Sequence, residues 1–123
     1  MNETQTDITT SLETLKNKMR SFTDARDWNK FQSPKNISMA LAIEAAELME
    51  FFMWTETEES KEVLEKRRKD IENEVADITC YLVSFCSHYN IDITQAFLAK
   101  MKLNEAKYPL EKAKGTWAKY SDL

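Results

Sequence analysis

The chain has one glycine, two prolines, two cysteines and one histidine in 123 residues. Each scarcity excludes something. Sheets joined by tight hairpins draw on glycine for their turns, and no stretch alternates apolar and polar residues between turn signals, so a β-rich fold finds no support. Cys80 and Cys86 stand six apart in one expected helix. They therefore point to different sides and cannot easily bridge. Neither belongs to a Cys-x-x-Cys, and two free thiols fit a reducing cytoplasm. No apolar run approaches the length of a membrane span, and the polar N-terminus lacks a signal-peptide pattern. The expectation is a cytoplasmic protein without a membrane partner. A basic face is missing too: the net charge is −4, with acids and bases interspersed. Nucleic acid is not an expected partner.

Ala, Leu, Glu, Lys and Met are plentiful instead, and they favour helix. Length and composition predict one all-α domain over residues 1–123, a four-helix bundle-like subunit with its core at about 8–109 and a tail at 110–123. Ile8, Leu12, Leu15, Met19 and Phe22 recur at helical spacing, so the first helix is expected from Ile8 to Arg26, with Thr10 and Glu13 as a capping box. Pro34 keeps Ser33 out of a helix, Asn36 or Ser38 caps the second, and that helix extends to Trp54. Ser60 caps a third, which reaches His88 or Tyr89, with a break or frayed turn in the charged stretch "KEVLEKRRKD". Asp92 and Gln95 have capping-box spacing at the start of a fourth, which stops before Pro109. The tail "LEKAKGTWAKYSDL" reads as irregular, with Trp117 and Tyr120 available to pin it to the body or to a neighbouring subunit.

One pattern resists a purely structural explanation. "AIEAAELMEF" sets Glu44 and Glu47 three apart in an otherwise apolar run. Each helical step turns about 100°, which places Ile37, Leu48 and Phe51 within about 40° of Glu44, and Glu47 about 60° to one side. The opposite face holds Met39, Ala42, Ala46, Met49 and Met53. A helix apolar nearly all round is expected to be buried on both sides, one against its own subunit and the other against a second copy. In the third helix Glu74 sits near the centre of a stripe with Val63, Ile71, Ile78, Tyr81 and Phe85, and Asp77 is offset from it as Glu47 is from Glu44. If the two helices pack together, four carboxylates converge.

Carboxylates crowded in a partly dry interior need compensation. The second helix's stripe offers no basic residue, and Arg67, two turns before Glu74, has Asp70 as a competing partner. A divalent cation is the economical answer, and oxygen-only ligands favour Mg²⁺, or Mn²⁺ as a substitute. A ferritin-like di-iron centre expects Glu-x-x-His pairs. His88 has Phe85 three residues before it, so that alternative fits poorly.

"FQSPKNISMALAIEAAELMEFFMW", then "ENEVADITCYLVSF", then "KMKLNEAKYP" resemble, in order and spacing, the all-α nucleotide pyrophosphohydrolases of the MazG-like group. Within it the chain is most similar to the dCTP pyrophosphatase branch. The resemblance covers roughly Arg26 to Pro109. It implies Mg²⁺-dependent hydrolysis of a nucleoside triphosphate to the monophosphate and pyrophosphate. It also implies that Glu44, Glu47, Glu74 and Asp77 are the metal-holding, catalytic acids, that Trp28 and Trp54 enclose the base, and that Tyr81 lines the nucleoside pocket. Lys100 and Asn104 match phosphate-facing positions. Many relatives have His where this chain has Gln32, which cannot exchange a proton near neutral pH.

The leading expectation is an enzyme that removes dCTP, or a related or modified deoxynucleotide, from the nucleotide pool. The same chemistry on dUTP or a purine triphosphate is one alternative. A non-catalytic helical interaction module with a structural ion is the other. The two-sided second helix predicts a homodimer or a homotetramer built as a dimer of dimers.

Overall fold

Ser11 starts the first helix, α1, which covers Leu12–Ala25 rather than beginning at Ile8. The residues before it close a turn of their own: the Thr9 and Thr10 amides donate to the Thr6 carbonyl at 3.0 and 2.9 Å. The Ser11 hydroxyl then accepts from the Thr14 amide at 3.1 Å. Hydroxyl side chains offer the backbone such local alternatives to helix, and Ile8 is left on the surface. The Thr10–Glu13 capping box is therefore not formed. This computed structural model describes residues 5–123, and every regular element among them is helical.

α2 covers Pro34–Glu50. Ser33 is extended, with φ −74° and ψ 156°, and its hydroxyl accepts from the Asn36 amide at 3.1 Å. Proline at the first helical position loses no intrahelical bond, so the helix starts earlier than the expected Asn36 or Ser38 cap. Those two side chains turn to carbonyls, Asn36 to Phe31 and Ser38 to Lys35. The regular helix stops at Glu50, and residues 51–54 continue as turns.

The anticipated break in the third helix is real and falls at Arg67. α3 covers Ser60–Lys66 and α4 covers Arg68–His88. Ser60 is the first residue of α3 rather than its cap, because a short turn at Thr57–Glu59, capped reciprocally by Glu56 and Glu59, precedes it. α4 is the axis of this part of the chain, with both α1 and α2 packed against it. Ile37 from α2 and Ile71, Val83 and Cys86 from α4 form the buried apolar core. Asn90, in the left-handed region at φ 54°, ends α4.

The chain divides into two compact units, the first running to Asn90 and the second covering Ile91–Leu123. In the second, the Asp92 carboxylate caps α5 (Ile93–Lys107) by accepting from the Gln95 amide at 2.8 Å, the forward half of the capping box expected from the spacing. The tail is more ordered than expected. It forms a short helix, α6 (Leu110–Ala113), then turns at Gly115, whose φ of 81° suits the one residue without a Cβ. Tyr120 anchors it, meeting the Tyr108 ring edge-on and lying 4.8 Å from Lys107 Nζ. Trp117 does not share that role, being 96% exposed.

Candidate functional site

Glu44 and Glu47 project from α2, Glu74 and Asp77 from α4, and the packing of these two helices brings acids together. Glu44, Glu74 and Asp77 each offer one carboxylate oxygen within 4.8 Å of the other two. Glu47 stands outside this triangle, close enough to exchange a hydrogen bond with Glu44 and Glu74.

The cost of the crowding is visible. At Glu44 the hydrogen bond with Glu47 favours the charged form, but burial, the neighbouring Glu74 and the charge of Asp77 outweigh it and raise the pKa. The hydrogen bond to Glu44 and that residue's charge raise the pKa of Glu47, and burial adds to the effect. Glu44 Oε2 and Glu74 Oε2 are both buried without a hydrogen-bond partner. Buried carboxylate oxygens are rarely left in this state unless something absent from the polypeptide meets them. The nearby Arg67 is engaged, with its guanidinium on Asp70 at 2.8 Å. Three converging hard oxygens, two of their carboxylates holding a buried unpartnered atom, fit an oxygen-preferring divalent cation.

Beside the acids lies a cavity of about 410 Å³ with a largely apolar wall. Asp77 belongs to it, and so do Tyr81, one turn on, and Trp28 from the loop after α1. Trp28 is held edge-to-face against Phe22 at 5.6 Å. Gln32 forms another part of the wall and is fixed twice. Its side-chain oxygen accepts from the Ser84 hydroxyl at 3.3 Å, and its carbonyl accepts from the Tyr89 hydroxyl at 2.6 Å. His88 braces the same loop, with its ring nitrogens at 2.9 Å from the Ser84 carbonyl and 3.2 Å from Asn29 Oδ1. Its part here is structural.

The structure thus brings Trp28 and Tyr81 to the cavity next to the acids. It does not bring Trp54 there: that ring follows the end of α2, is 90% exposed and is not among the cavity's lining residues. Lys100 is exposed and Asn104 half-buried on α5, in the second unit. Cys80 and Ser84 also line the cavity and escaped the sequence reading. They follow Asp77 by three and seven residues, a helical spacing that carried the signal. Met19 and Phe22 were readable only as core of α1, yet they close the cavity from that side.

The MazG-like family model matches residues 39–123. The dCTP pyrophosphatase 1 of Mus musculus is 34% identical over 115 residues, covering 92% of this chain and 68% of the mouse protein. The protein of that name from Homo sapiens is 33% identical over the same shares. Among solved structures, a pyrophosphatase from Archaeoglobus fulgidus superposes with a TM-score of 0.77 at 38% identity, over 89% of this chain and 98% of the archaeal one. The chain belongs to the MazG-like family. Among the described residues, no helix is long and apolar enough to cross a membrane.

Proposed function

We propose that this chain, a nucleotide pyrophosphohydrolase, acts on dCTP or a modified relative of it and releases pyrophosphate, with Mg²⁺ held by Glu44, Glu74 and Asp77. Asp77 carries this reading, because it belongs both to the acid triangle and to the wall of the aromatic cavity. A nucleotide that puts its base in the cavity brings its phosphates to the acids. A divalent cation bound there supplies positive charge to phosphoryl oxygens and lowers the pKa of a bound water.

The polypeptide's share is positioning and proton handling. Trp28 and Tyr81 enclose the base. Burial, with the charge of Asp77 adding, raises the pKa of Cys80, so this part of the wall is a neutral thiol. Gln32, its oxygen taken by Ser84, keeps its N–H groups for an acceptor on the base. Glu47, at the margin of the triangle, holds the attacking water and takes its proton as the oxygen adds to the α-phosphorus. The bond to the bridging oxygen breaks and pyrophosphate departs. From the resemblance, Lys100 supplies a point charge to the phosphates and Asn104 a neutral donor. Trp54 contributes to base binding only within an assembly, since its ring is solvent-facing in one chain.

Incubation with the common and damaged deoxynucleoside triphosphates, followed by pyrophosphate detection, tests the proposal. The expected result is Mg²⁺-dependent release, strongest for dCTP or a modified dCTP. No release above blank from any of them would leave the acids as a structural ion site. Preference for dUTP or a purine would keep the chemistry and overturn the base assignment.

The outward face of α2 supports a homodimer or a homotetramer made as a dimer of dimers. Met39, Ile43 and Met49 on α2, and Met53 in the turn that follows it, are each more than half exposed, Met49 to 70%. A contiguous apolar patch of this kind is uncommon on soluble monomers, and Ala42 and Ala46 between these side chains allow close approach. The expected result is that combined Met49→Glu and Met53→Glu substitutions convert the assembly to smaller species in sedimentation velocity. A wild-type chain that sediments as a monomer at micromolar concentration would overturn the assignment.

A further inference from the structure

The acids stand between two cavities, and only one of them has been given a ligand. The second, of about 480 Å³, is lined by Glu47, Glu50, Phe51, Arg67 and Glu74. Its place along α4 is informative. Asp77, Tyr81 and Ser84 on the aromatic cavity lie toward the C-terminal end of α4, whereas Arg67 lies at its opposite end, seven residues or about 10 Å of rise before Glu74. A nucleotide with its base in the aromatic cavity and its α-phosphate at the acids therefore has one direction left for its outer phosphates.

Among the described residues that line this second cavity, Arg67 is the one cation, facing three carboxylates. Its side chain is held rather than loose. Nε and Nη2 both donate to Asp70 Oδ2, at 2.9 and 2.8 Å, and the guanidinium lies 5.1 Å from the centre of the Phe51 ring. One edge and one face are thereby occupied, leaving the Nη1 edge for an anion. The backbone is fixed as well, since Arg67 is both the last cap of α3 and the first of α4. A planar donor clamped at the mouth of an acidic cavity is well suited to phosphoryl oxygens.

We propose that Arg67 binds the β- and γ-phosphates of the substrate and stabilises the pyrophosphate as it leaves. The proposal rests on the pyrophosphohydrolase reading above. It makes Arg67 a substrate-contacting residue on the side of the acids opposite the base. When the bond from the α-phosphorus to the bridging oxygen breaks, that oxygen keeps the electron pair, and the guanidinium meets the charge that develops.

The two products separate this role from a structural one. Steady-state inhibition by inorganic pyrophosphate and by the nucleoside monophosphate is measured, in Mg²⁺, for wild type, Arg67→Met and Arg67→Lys. Arg67→Met is expected to weaken pyrophosphate inhibition by about 10- to 100-fold, the scale of a charge-assisted hydrogen-bonded contact. Monophosphate inhibition stays unchanged, and kcat/KM falls. Arg67→Lys recovers part of the loss, a point charge replacing a planar fork. Unchanged pyrophosphate inhibition in Arg67→Met, or equal weakening for both products, would overturn the proposal. A wild-type chain that hydrolyses no triphosphate counts against the enzymatic reading instead, and calorimetric titration of wild type and Arg67→Met with pyrophosphate and Mg²⁺ then decides the role of Arg67 separately.

Discussion

Asp77→Asn lowers Mg²⁺-dependent pyrophosphate release by about 10³-fold while the helical fold survives, as judged by far-ultraviolet circular dichroism. Asparagine keeps the size of the side chain and one oxygen, so the helix and the cavity wall are preserved. What disappears is a charge from a triangle whose three carboxylates lie within 4.8 Å of one another. Charge neutralisation by a divalent ion contributes several kcal/mol to a phosphoryl transition state, and each 1.4 kcal/mol is about tenfold in rate. Glu47→Gln is expected to lose turnover on a similar scale by a different route. Glu47 stands outside the triangle, so the Mg²⁺ concentration for half-maximal rate should barely change, whereas Asp77→Asn should raise it steeply. Near-wild-type release of pyrophosphate by both variants would refute the assignment of the acids.

The paired acids were legible because a helix repeats every 3.6 residues, and that period alone places Glu44 and Glu74 on apolar stripes. Their meeting required α2 to pack on α4, which apolar stripes imply but do not dictate. Two kinds of information were not legible. One is local competition: the hydroxyls of Thr9 and Ser11, accepting from the Thr6 and Thr14 amides, delay α1, and Pro34 advances α2 to a Ser33 cap, each decided by hydrogen bonds that periodicity does not register. The other is tertiary. Met19 and Phe22 sit at ordinary core spacing on α1, and nothing in their pattern says that the surface they cover is a cavity rather than packed interior. Glu47 shows the limit most clearly. Its rotation from Glu44 matches that of Asp77 from Glu74, yet Asp77 enters the triangle and Glu47 does not. Burial does not separate them in the expected way, since Glu47 is half-buried and Asp77 exposed.

Metal-free protein carries an electrostatic penalty at this site, and Glu44→Gln should raise its melting temperature. In the wild type Glu44 Oε2 and Glu74 Oε2 are buried and unpartnered, with Glu47 and Asp77 alongside. Glutamine removes one charge and adds two N–H donors, so a repulsive neighbour becomes one that can donate to Glu47 or Glu74. The sign of the pH dependence agrees. Glu44 and Glu47 have pKa values raised above the ordinary carboxylate value, so the folded chain binds these protons more tightly than the unfolded one. The destabilisation is therefore present at neutral pH and is relieved as pH falls through the raised values. Mg²⁺ acts in the same direction on the wild type, because an ion bound only by the folded state stabilises it by about 2.7 kcal/mol at a hundred times its dissociation constant. Differential scanning fluorimetry with chelator or millimolar Mg²⁺ should therefore give a cross-over. Without metal the variant melts above the wild type, and with metal the wild type gains and the variant does not. A variant that melts below the wild type in chelator, together with a wild type indifferent to Mg²⁺, would mean that the crowded carboxylates impose no penalty for a cation to relieve.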